Sequence, residues 1–358
     1  MRRYLLSKHR WLSEHSRLRH TILVPGPTDR GLPHDLVTFA SPPIPFGSGY
    51  RYPVRLRAFR ERLAALEPDL LESGDPYQLA HETVHVAREL RVACVAFCHS
   101  DLPRIARSLG GALSERAAAR YLARLYRRFD AVLAPSEYMV ERLRATGVPH
   151  AQLQPLGVDV HTFHPGAADP DLRRVLGLRR ETCLLVFAGR CSPEKHLGDL
   201  VEAARLLGRS YQLLLVGGAP RRLADNVAVL EYQRNPSQLA RILASADLFV
   251  HAGDRETFGL VVLEAMACGL PVVAAEAGAL PELVDASVGA RFAARSPAAL
   301  AAAVRRTLDG DLPAMRRAAR ARAESHGWDA VFTRLLGRYL RWLDGAARVR
   351  TLQHAVAP

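Results

Sequence analysis

Lysine is nearly absent from this strongly basic sequence. Only two of its 49 basic residues, Lys8 and Lys195, are lysines, and the others are arginines. Because an ammonium group is a compact point charge that a guanidinium group does not reproduce, each lysine is a candidate for a specific contact. The net charge of +13 would suit an acidic substrate or an anionic membrane. A nucleic-acid partner is not expected, since the sequence has no basic tail, basic block or basic–aromatic interleaving.

Cysteines are also few, and long apolar runs are missing. The five cysteines are few, odd in number and form no CxxC pair, which indicates a reduced, cytosolic protein. No apolar run approaches the roughly 18 residues that span a bilayer, and residues 1–10 lack the apolar core of a signal peptide. We therefore expect a cytoplasmic protein whose contact with a membrane is limited to a peripheral one at the cytoplasmic face.

Short apolar runs alternate with amphipathic stretches, which is typical of parallel sheets covered by helices. The predicted fold class is α/β, with two Rossmann-like, doubly wound domains that face a cleft. The stretch Gly157–Gly166 interrupts the alternation and is interpreted as a linker. The predicted division is an N-terminal domain at 1–160, a C-terminal domain at 161–325, a helix at 326–345 that packs back towards the N-terminal domain, and a tail at 346–358.

The same alternation predicts individual elements. The predicted strands are His20–Val24, Asp35–Ala40, Leu70–Glu72, Val92–Cys98, Ala131–Ala134, Gln152–Leu156, Cys183–Ala188, Gln212–Val216, Ala228–Glu231, Leu248–His251 and Pro271–Ala274. The predicted helices are Tyr4–Glu14, Leu56–Leu66, Tyr77–Leu90, Ser114–Phe129, Glu137–Thr146, Leu197–Leu207, Pro236–Ala244, Phe258–Ala267, Pro297–Leu308 and Trp328–Leu343. The Pro- and Gly-rich stretch Thr28–Tyr52 is expected to include a long loop.

The strongest candidate site lies in residues Asp254–Ala274. A strand ends just before this segment, and a helix is predicted to start near Phe258 with Thr257 as its N-cap. Free backbone N–H groups at Phe258, Gly259 and Leu260 would then form a seat for an anion, assisted by the helix dipole.

Two carboxylates accompany this helix. Glu256 precedes it and Glu264 lies within it, so one could meet a sugar at the helix mouth and the other a second pair of hydroxyls alongside. Each carboxylate oxygen accepts a hydrogen bond, which suits vicinal diols. The alternative is an ordinary capped helix that carries a surface glutamate.

A second candidate segment is Leu184–Leu200, where a buried strand runs into a glycine. Arg190 and Lys195 flank the turn that follows, and these two cations could hold a diphosphate and stabilise it as it leaves. The alternative is a solvated turn. Gly217 and Gly218 end a further strand, a weaker signal that fits a plain tight turn equally well.

Taken in this order, the segments resemble the retaining glycosyltransferases of family 4, which have the GT-B fold. Glu256 and Glu264 match the EX7E motif of that family. Arg190 and Lys195 match its GR…EK segment, and Gly217 lies in its glycine-containing strand–loop. The resemblance covers nearly all of the chain.

The resemblance is most specific from Leu184 to Leu283, and the first half resembles the mannosyltransferase branch through His99–Arg104, Ala134–Tyr138 and Pro155–Asp159. It implies transfer of a hexose, with retention, from a nucleotide-diphosphate sugar to a saccharide or lipid-linked acceptor. GDP-mannose is the favoured donor and UDP-glucose the alternative.

The resemblance also implies roles for residues. Arg190 and Lys195 would bind the donor diphosphate, Glu264 the ribose and Glu256 the donor sugar, while His99 would approach the sugar from the N-terminal domain. The other implied donor-binding residues are Gly217, Phe258, Gly259 and Leu260. No metal or cofactor is expected, since the two cations and the helix terminus would replace a metal at the diphosphate. The leaving phosphate, and no protein nucleophile, would take the proton of the acceptor.

One departure from the family concerns the start of the chain. Residues Arg2–His15 resemble the helix that follows the family's first strand, so that strand and its glycine-rich loop are expected to be absent. Backbone groups of the neighbouring strands would then lack partners. A degenerate, non-catalytic sugar-nucleotide-binding protein is accordingly the alternative function.

A competing motif is HExxH, spelled by residues 81–85. Two imidazoles one helical turn apart, with a glutamate base, are typical of zinc proteases. No third ligand follows at a familiar spacing, and Arg88 replaces the glycine of the extended motif. The preferred interpretation is the solvated face of a helix, and a zinc hydrolase is the remote alternative.

A last pattern is a stripe of arginines on the predicted helix Ser114–Phe129. The stripe comprises Arg116, Arg120, Arg124 and Arg127, and a second, apolar stripe that is predicted to be buried comprises Leu113, Ala117, Tyr121, Leu125 and Phe129. The arginine stripe fits either a solvated helix face or a surface that meets anionic lipid or a phosphorylated acceptor.

Overall fold

The structure, a computed structural model, describes residues 2–32, 36–44, 51–219 and 221–356. Asp35 of the second predicted strand and residues 45–50 of the predicted loop lie outside the described residues. The chain divides into two compact units, Met1–Gln154 with Val331–Pro358 and Pro155–Ala330. Within the described residues, no helix combines the length and the apolar composition needed to cross a bilayer.

The described elements alternate between strands and helices. The strands are β1 Ile22–Gly26, β2 Arg30–Leu32, β3 Leu36–Ala40, β4 Leu70–Ser73, β5 Ala93–Phe97, β6 Ala131–Ala134, β7 Ala151–Leu153, β8 Cys183–Ala188, β9 Tyr211–Val216, β10 Arg221–Ala224, β11 Val227–Leu230, β12 Leu248–His251, β13 Val272–Ala275 and β14 Gly289–Phe292. The helices are α1 Arg2–His15, α2 Leu56–Ala64, α3 Gln78–Leu90, α4 Leu102–Tyr126, α5 Glu137–Ala145, α6 Leu172–Val175, α7 Leu197–Leu207, α8 Pro236–Ala244, α9 Leu260–Ala267, α10 Leu280–Leu283, α11 Pro297–Leu308, α12 Leu312–Ser325 and α13 Trp328–Val356.

The first unit contains two sheets. One has three strands in the order β1-β3-β2, and the other has four parallel strands in the order β4-β5-β6-β7. β3 runs parallel to β1 and antiparallel to β2. Among the described strands, none pairs with the outer edge of β1 or of β4. The inner strand β6, with the sequence AVLA, is apolar throughout and all four of its residues are buried, as is typical of a parallel sheet that is covered on both faces.

A buried ion pair joins α1 and α13 to the four-stranded sheet. Lys8 Nζ lies 2.6 Å from Glu72 Oε1 and donates to the Tyr339 hydroxyl at 3.0 Å. The Tyr339 hydroxyl donates in turn to Glu72 Oε2. Burial alone would raise the pKa of Glu72, but the charge and hydrogen bond of Lys8 outweigh burial and lower it. One of the two lysines is therefore a structural residue, 1% exposed.

Two helices differ from the sequence prediction. α4 starts at Leu102 instead of Ser114 and is kinked at Gly110 and Gly111, whose backbone angles are not helical. A glycine pair is a common cause of such a kink. α13 continues past Leu343 to Val356, because the single glycine in that stretch weakens a helix by only about 1 kcal/mol.

The predicted burial of the apolar stripe on α4 is wrong for its first half. Leu113 is 77% exposed, and Ala117 is exposed as well. Tyr121 is half-buried, while Leu125 and Phe129 are buried. Both ends of α4 pack against the hydrophobic core of the first unit, through Leu102 in the first turn and Leu122, Leu125 and Tyr126 in the last turns. The turns next to the kink are exposed.

The second unit is built on one seven-stranded sheet in the order β10-β11-β9-β8-β12-β13-β14. All neighbouring strands are parallel except β10, which runs antiparallel to β11. From β8 the chain proceeds to β9 on one side and later returns to β12 on the other. In open parallel sheets, ligands bind at the carboxyl ends of strands where the connections diverge in this way.

Candidate functional site

Two loops that are distant in sequence meet at this divergence point. The loop after β8 carries Arg190 and Lys195, and the loop after β12 carries Glu256. β8 and β12 are paired through Leu185 with Leu248 and Val186 with Phe249. Because both strands are parallel neighbours, their carboxyl ends deliver the two loops to the same edge of the sheet.

The structure brings Lys195 and Glu256 into direct contact. Lys195 Nζ forms an ion pair and a hydrogen bond with Glu256 Oε1. The Lys195 and Glu256 side chains are 17% and 16% exposed, so water screens the pair only partly. The same carboxylate oxygen lies 3.0 Å from His251 Nε2. Two residues predicted from separate motifs thus form a single pair.

Sequence reasoning missed His251, the buried last residue of β12. The backbone N–H of Gly253 donates to His251 Nδ1 at 3.1 Å, so the ring proton is on Nε2 and faces Glu256. Burial would raise the pKa of Glu256, but contact with His251 and Lys195 outweighs burial and holds it well below its usual range. Glu256 is therefore a carboxylate at neutral pH. The available signal was a polar residue at the end of an apolar strand.

Two glycines allow close packing of the backbone, one against Glu256 and the other against His251. The Glu256 carbonyl accepts the N–H of Ala279 at 2.9 Å. A Cβ atom on Gly278, where φ is +59°, would lie 2.6 Å from that carbonyl oxygen. A Cβ atom on Gly253 would lie 2.7 Å from His251 Cε1. No role was predicted for either glycine, since both close contacts depend on the folded structure.

A second pair lies in the same two loops. His196 Nε2 is 2.9 Å from Asp254 Oδ1, and the guanidinium of Arg295 is 3.0 Å from His196 Nδ1. His196 directly follows Lys195, and Asp254 lies two residues before Glu256. The two pairs therefore join the β8 loop to the β12 loop at adjacent points. His196 and Asp254 lie within the two motif segments, but no role was predicted for either of them.

The start of α9 differs from the prediction. The helix begins at Leu260, and Gly259, with φ +94°, is its N-cap residue without a side-chain cap. Thr257 is therefore not the N-cap, because the left-handed conformation at Gly259 delays entry into the helix. Within the described part of the chain, the backbone N–H groups of Phe258, Gly259 and Leu260 have no acceptor. The helix thus starts two residues later than predicted, and the anion-binding role of these three N–H groups stays a prediction.

Gly217, the residue after β9, lies close to Gly189, the residue after β8. Its φ is +133°, and a Cβ atom there would be 1.9 Å from the carbonyl oxygen of Gly189. Arg190 is the residue after Gly189 and is exposed. Among the described residues, its guanidinium has no hydrogen bond or ion pair. The guanidinium of Arg190 thus lies one residue after the close contact between Gly189 and Gly217 and is available to a ligand.

Glu264 and His99 occupy different surroundings from Glu256. Glu264 lies on α9 and is 4% exposed. His99, in the first unit, stacks on Phe97 with ring centroids 4.3 Å apart and meets the Tyr4 ring edge-on at 5.5 Å. Burial lowers the pKa of His99 to about 3, so its imidazole is neutral at pH 7. The predicted contacts of both residues with the donor stay predictions.

The HExxH side chains on α3 are engaged by other residues. His81 Nε2 lies 3.2 Å from the Tyr121 hydroxyl and its Nδ1 lies 3.1 Å from the Arg128 guanidinium. His85 contacts Glu89 at 3.1 Å. Among the described residues, no three His, Cys, Asp or Glu side chains group in a way that could hold a metal ion. The structure does not favour a zinc hydrolase.

Comparison with known families agrees with the resemblance seen in the motifs. Residues 2–162 match the family described as Glycosyltransferase Family 4. Residues 182–310 match the family described as Glycosyl transferases group 1.

Two relatives from Mycobacterium tuberculosis align over most of the chain. A GDP-mannose-dependent alpha-mannosyltransferase is 35% identical over 80% of this chain and 77% of its own length. A GDP-mannose-dependent alpha-(1-6)-phosphatidylinositol dimannoside mannosyltransferase is 33% identical over 84% of this chain and 81% of its own length.

Solved structures share the fold at low sequence identity. Sucrose-phosphate synthase from Thermosynechococcus elongatus is 22% identical, with a TM-score of 0.76 over 95% of this chain and 92% of its own. Anabaena HepE, in complex with UDP and glucose, is 21% identical, with a TM-score of 0.74 over 94% and 95% of the two chains. The predicted α/β fold and the predicted family are confirmed. The chain belongs to glycosyltransferase family 4 and is a glycosyltransferase of the GT-B fold.

Proposed function

We propose that the chain transfers a mannosyl residue from GDP-mannose, with retention of configuration, to a saccharide or lipid-linked acceptor. The donor is suggested by the relatives, which are by name GDP-mannose-dependent mannosyltransferases. The structural observation that carries the proposal is the contact of Lys195 with Glu256 where the connections of β8 and β12 diverge. In this contact, the cation proposed to bind a phosphate, Lys195, meets the carboxylate proposed to bind a sugar, Glu256.

Three groups of the second unit would bind the donor diphosphate. They are the ammonium of Lys195, the free guanidinium of Arg190 and the N–H groups at the start of α9. Positive groups fixed at the site stabilise the negative charge that develops on a leaving diphosphate. With these groups in place we expect no metal to be required, and a leaving phosphate oxygen would take the proton of the acceptor hydroxyl.

Lys195 can serve both Glu256 and a phosphate, because an ammonium group has three N–H donors. Both described contacts of the Glu256 side chain are on Oε1. Oε2 therefore has accepting capacity for a hydroxyl of the donor sugar. Glu264, on the neighbouring helix α9, is assigned to the ribose, as the family motif implies.

The proposal is tested by incubating the purified chain with GDP-mannose, UDP-glucose and other sugar nucleotides. Acceptors would be simple mannosides and phosphatidylinositol dimannoside, and both product formation and donor hydrolysis would be measured. We expect transfer from GDP-mannose, an α-linked product by NMR, and activity that persists in excess chelator. Nucleotide binding without transfer or hydrolysis of any donor would instead support the non-catalytic alternative. Preference for UDP-glucose would overturn the choice of donor.

We also propose that the chain works at the surface of an anionic membrane. One relative acts, by name, on a phosphatidylinositol dimannoside, and a lipid-linked saccharide presents its sugar at the bilayer surface. The net charge of +13 would favour such a surface.

A further inference from the structure

The kink of α4 exposes an unusual group of aliphatic side chains in the first unit. We call residues Ile105–Leu113 the α4 elbow. Leu109 is 85% exposed and Leu113 is 77% exposed, the two largest values among the exposed large apolar residues described. Ile105, one helical turn before Leu109, is 46% exposed. Ile105 and Leu109 therefore lie on one face of the helix before the kink, and Leu113 is exposed two residues after it.

The elbow is held in shape by polar contacts. The Ser114 hydroxyl lies 2.8 Å from the Ala106 carbonyl, a contact that crosses the kink. At the base of the elbow, Arg104 Nη1 donates to the Tyr138 hydroxyl at 2.7 Å. The two leucines are therefore presented by an ordered turn, and no ordering of a loose segment is needed before they meet a partner.

The charges around the elbow are almost all positive. Residues 102–127, which comprise α4 and the residue after it, contain six arginines and one acidic residue, a net charge of +5. The acidic residue, Glu115, pairs with Arg107 at 2.8 Å. In contrast, Arg116, Arg120 and Arg124 are exposed and have no ion pair with the described residues. Free cations thus lie next to the exposed leucines.

We propose that the α4 elbow is the surface that docks the chain on an anionic bilayer, with Leu109 and Leu113 inserted among the lipids. Arg116 and Arg120 would lie at the level of the phosphate groups, since apolar insertion beside basic residues is the typical pattern of peripheral membrane binding. A folded protein partner fits less well, because a stable interface buries roughly 800 Å² on each side and three aliphatic side chains supply little of that. This inference rests on the membrane part of the proposed function and locates it.

The test is co-sedimentation of the full chain with vesicles of phosphatidylglycerol and phosphatidylcholine, and with vesicles of phosphatidylcholine alone. We expect binding to the anionic vesicles that weakens in high salt. Leu109→Ser with Leu113→Ser should weaken binding by roughly tenfold or more. Arg116→Gln with Arg120→Gln should weaken it by roughly ten- to thirtyfold on anionic vesicles.

Matched controls come from exposed residues of the second unit. Val175→Ser with Leu206→Ser removes side chains from residues that are 72% and 48% exposed. Arg205→Gln with Arg209→Gln removes two charges at side chains 57% and 91% exposed. Both control pairs should bind vesicles as the wild type does. All these positions are on the surface, so unfolding temperatures should stay close to that of the wild type.

The proposal is overturned if the wild type does not bind anionic vesicles or binds neutral vesicles equally well. It is also overturned if the variant with Leu109→Ser and Leu113→Ser binds as the control variants do. It is also overturned if the leucine pair abolishes self-association of the chain while vesicle binding persists, since a second copy would then be the partner. Vesicle binding is measured without donor or acceptor. A chain that binds vesicles through the elbow but transfers no sugar therefore refutes the transferase proposal and leaves this one standing.

Discussion

Lys195 and Glu256 lie 61 residues apart in sequence and share one ion pair at the carboxyl ends of two neighbouring strands. The pair links the segment expected to bind a diphosphate with the segment expected to bind a sugar. Its neighbours are the buried His251 on one side and the His196–Asp254 contact on the other. Lys195 and Glu256 can therefore be tested by separate substitutions.

Replacing Lys195 by alanine should weaken binding of GDP and GDP-mannose and slow turnover. A charge-assisted contact of this type is worth roughly 1.5–3 kcal/mol, which corresponds to roughly 10- to 100-fold in affinity. Lys195→Arg keeps the charge but not the compact ammonium and should give an intermediate loss. Calorimetry with both nucleotides tests this, and unchanged affinity together with an unchanged rate would remove Lys195 from the site.

The two motif glutamates should separate by ligand. Glu264→Gln should weaken binding of free GDP as well as of GDP-mannose, because the ribose is common to both. Glu256→Gln should mainly weaken the sugar-bearing donor and lower kcat, because Oε1 stays near Lys195 while a charged acceptor for the sugar is lost. Equal losses for GDP and GDP-mannose in both variants would show that this division of roles is wrong.

Gly217 offers a test of the backbone approach between β8 and β9. A Cβ atom at this position would lie 1.9 Å from the Gly189 carbonyl oxygen, and φ is +133°. Gly217→Ala should therefore displace the loop that carries Arg190, and donor affinity should fall at least about tenfold. Gly198→Ala is the matched control, since a Cβ atom there meets nothing within 4 Å. Comparable nucleotide affinities in the two variants would contradict this account.

The bounds of several elements could be predicted to the residue. The strands Ala131–Ala134, Cys183–Ala188 and Leu248–His251 are short apolar runs with clear ends, and the helices Leu197–Leu207 and Pro297–Leu308 have one apolar face. The elements that were missed lack these signals. Among them, β10 and β14 have four residues each and contain arginines, and α12 contains four arginines.

The site was predictable only in part. Lys195 and Glu256 lie in motifs whose residue types suggest their chemistry. The contact between them, and the support from His251 and Gly278, depends on which strands are neighbours in the folded sheet. The start of α9 could not be predicted to the residue for a related reason. Gly259 can adopt either sign of φ, and its left-handed conformation in the folded loop places the helix start at Leu260.

Acid should destabilise the first unit through two partly buried histidines, His99 and His20. Burial lowers the pKa values of His99 and His20 to about 3, whereas an unfolded histidine titrates near 6.5. Between these values the unfolded chain binds protons that the folded chain does not, so stability falls as the pH drops. From pH 7 to pH 5 we expect a loss of roughly 1–2 kcal/mol per imidazole.

Thermal unfolding at several pH values measures this effect. His99→Phe should flatten the decline between pH 7 and pH 5, and His99→Phe with His20→Phe should flatten it further. A wild-type midpoint that stays constant over this interval, or a decline that is the same in all three proteins, would show that other groups control the acid response.

The buried Lys8–Glu72 pair predicts a non-additive pair of variants. Lys8→Met leaves the Glu72 carboxylate buried without its cation and should cost roughly 3–5 kcal/mol of unfolding free energy. Adding Glu72→Gln removes the stranded charge and should recover at least about half of that loss. Denaturant unfolding of the wild type, both single variants and the double variant gives the coupling energy. Purely additive losses would mean that the two side chains do not form this pair.

The adjacency of β8 and β12 has a consequence for chain length. The separation of Lys195 from Glu256 is set by the spacing of two neighbouring strands. The chain between α7 and α8 forms β9, β10 and β11, which lie on the other side of β8 from β12. The turn between β10 and β11 lies in this part of the chain, and the Asp225 side chain there is 83% exposed. Such turns accept insertions readily. A reporter peptide spliced in at Asp225 should therefore leave the spacing of the two charges as it is.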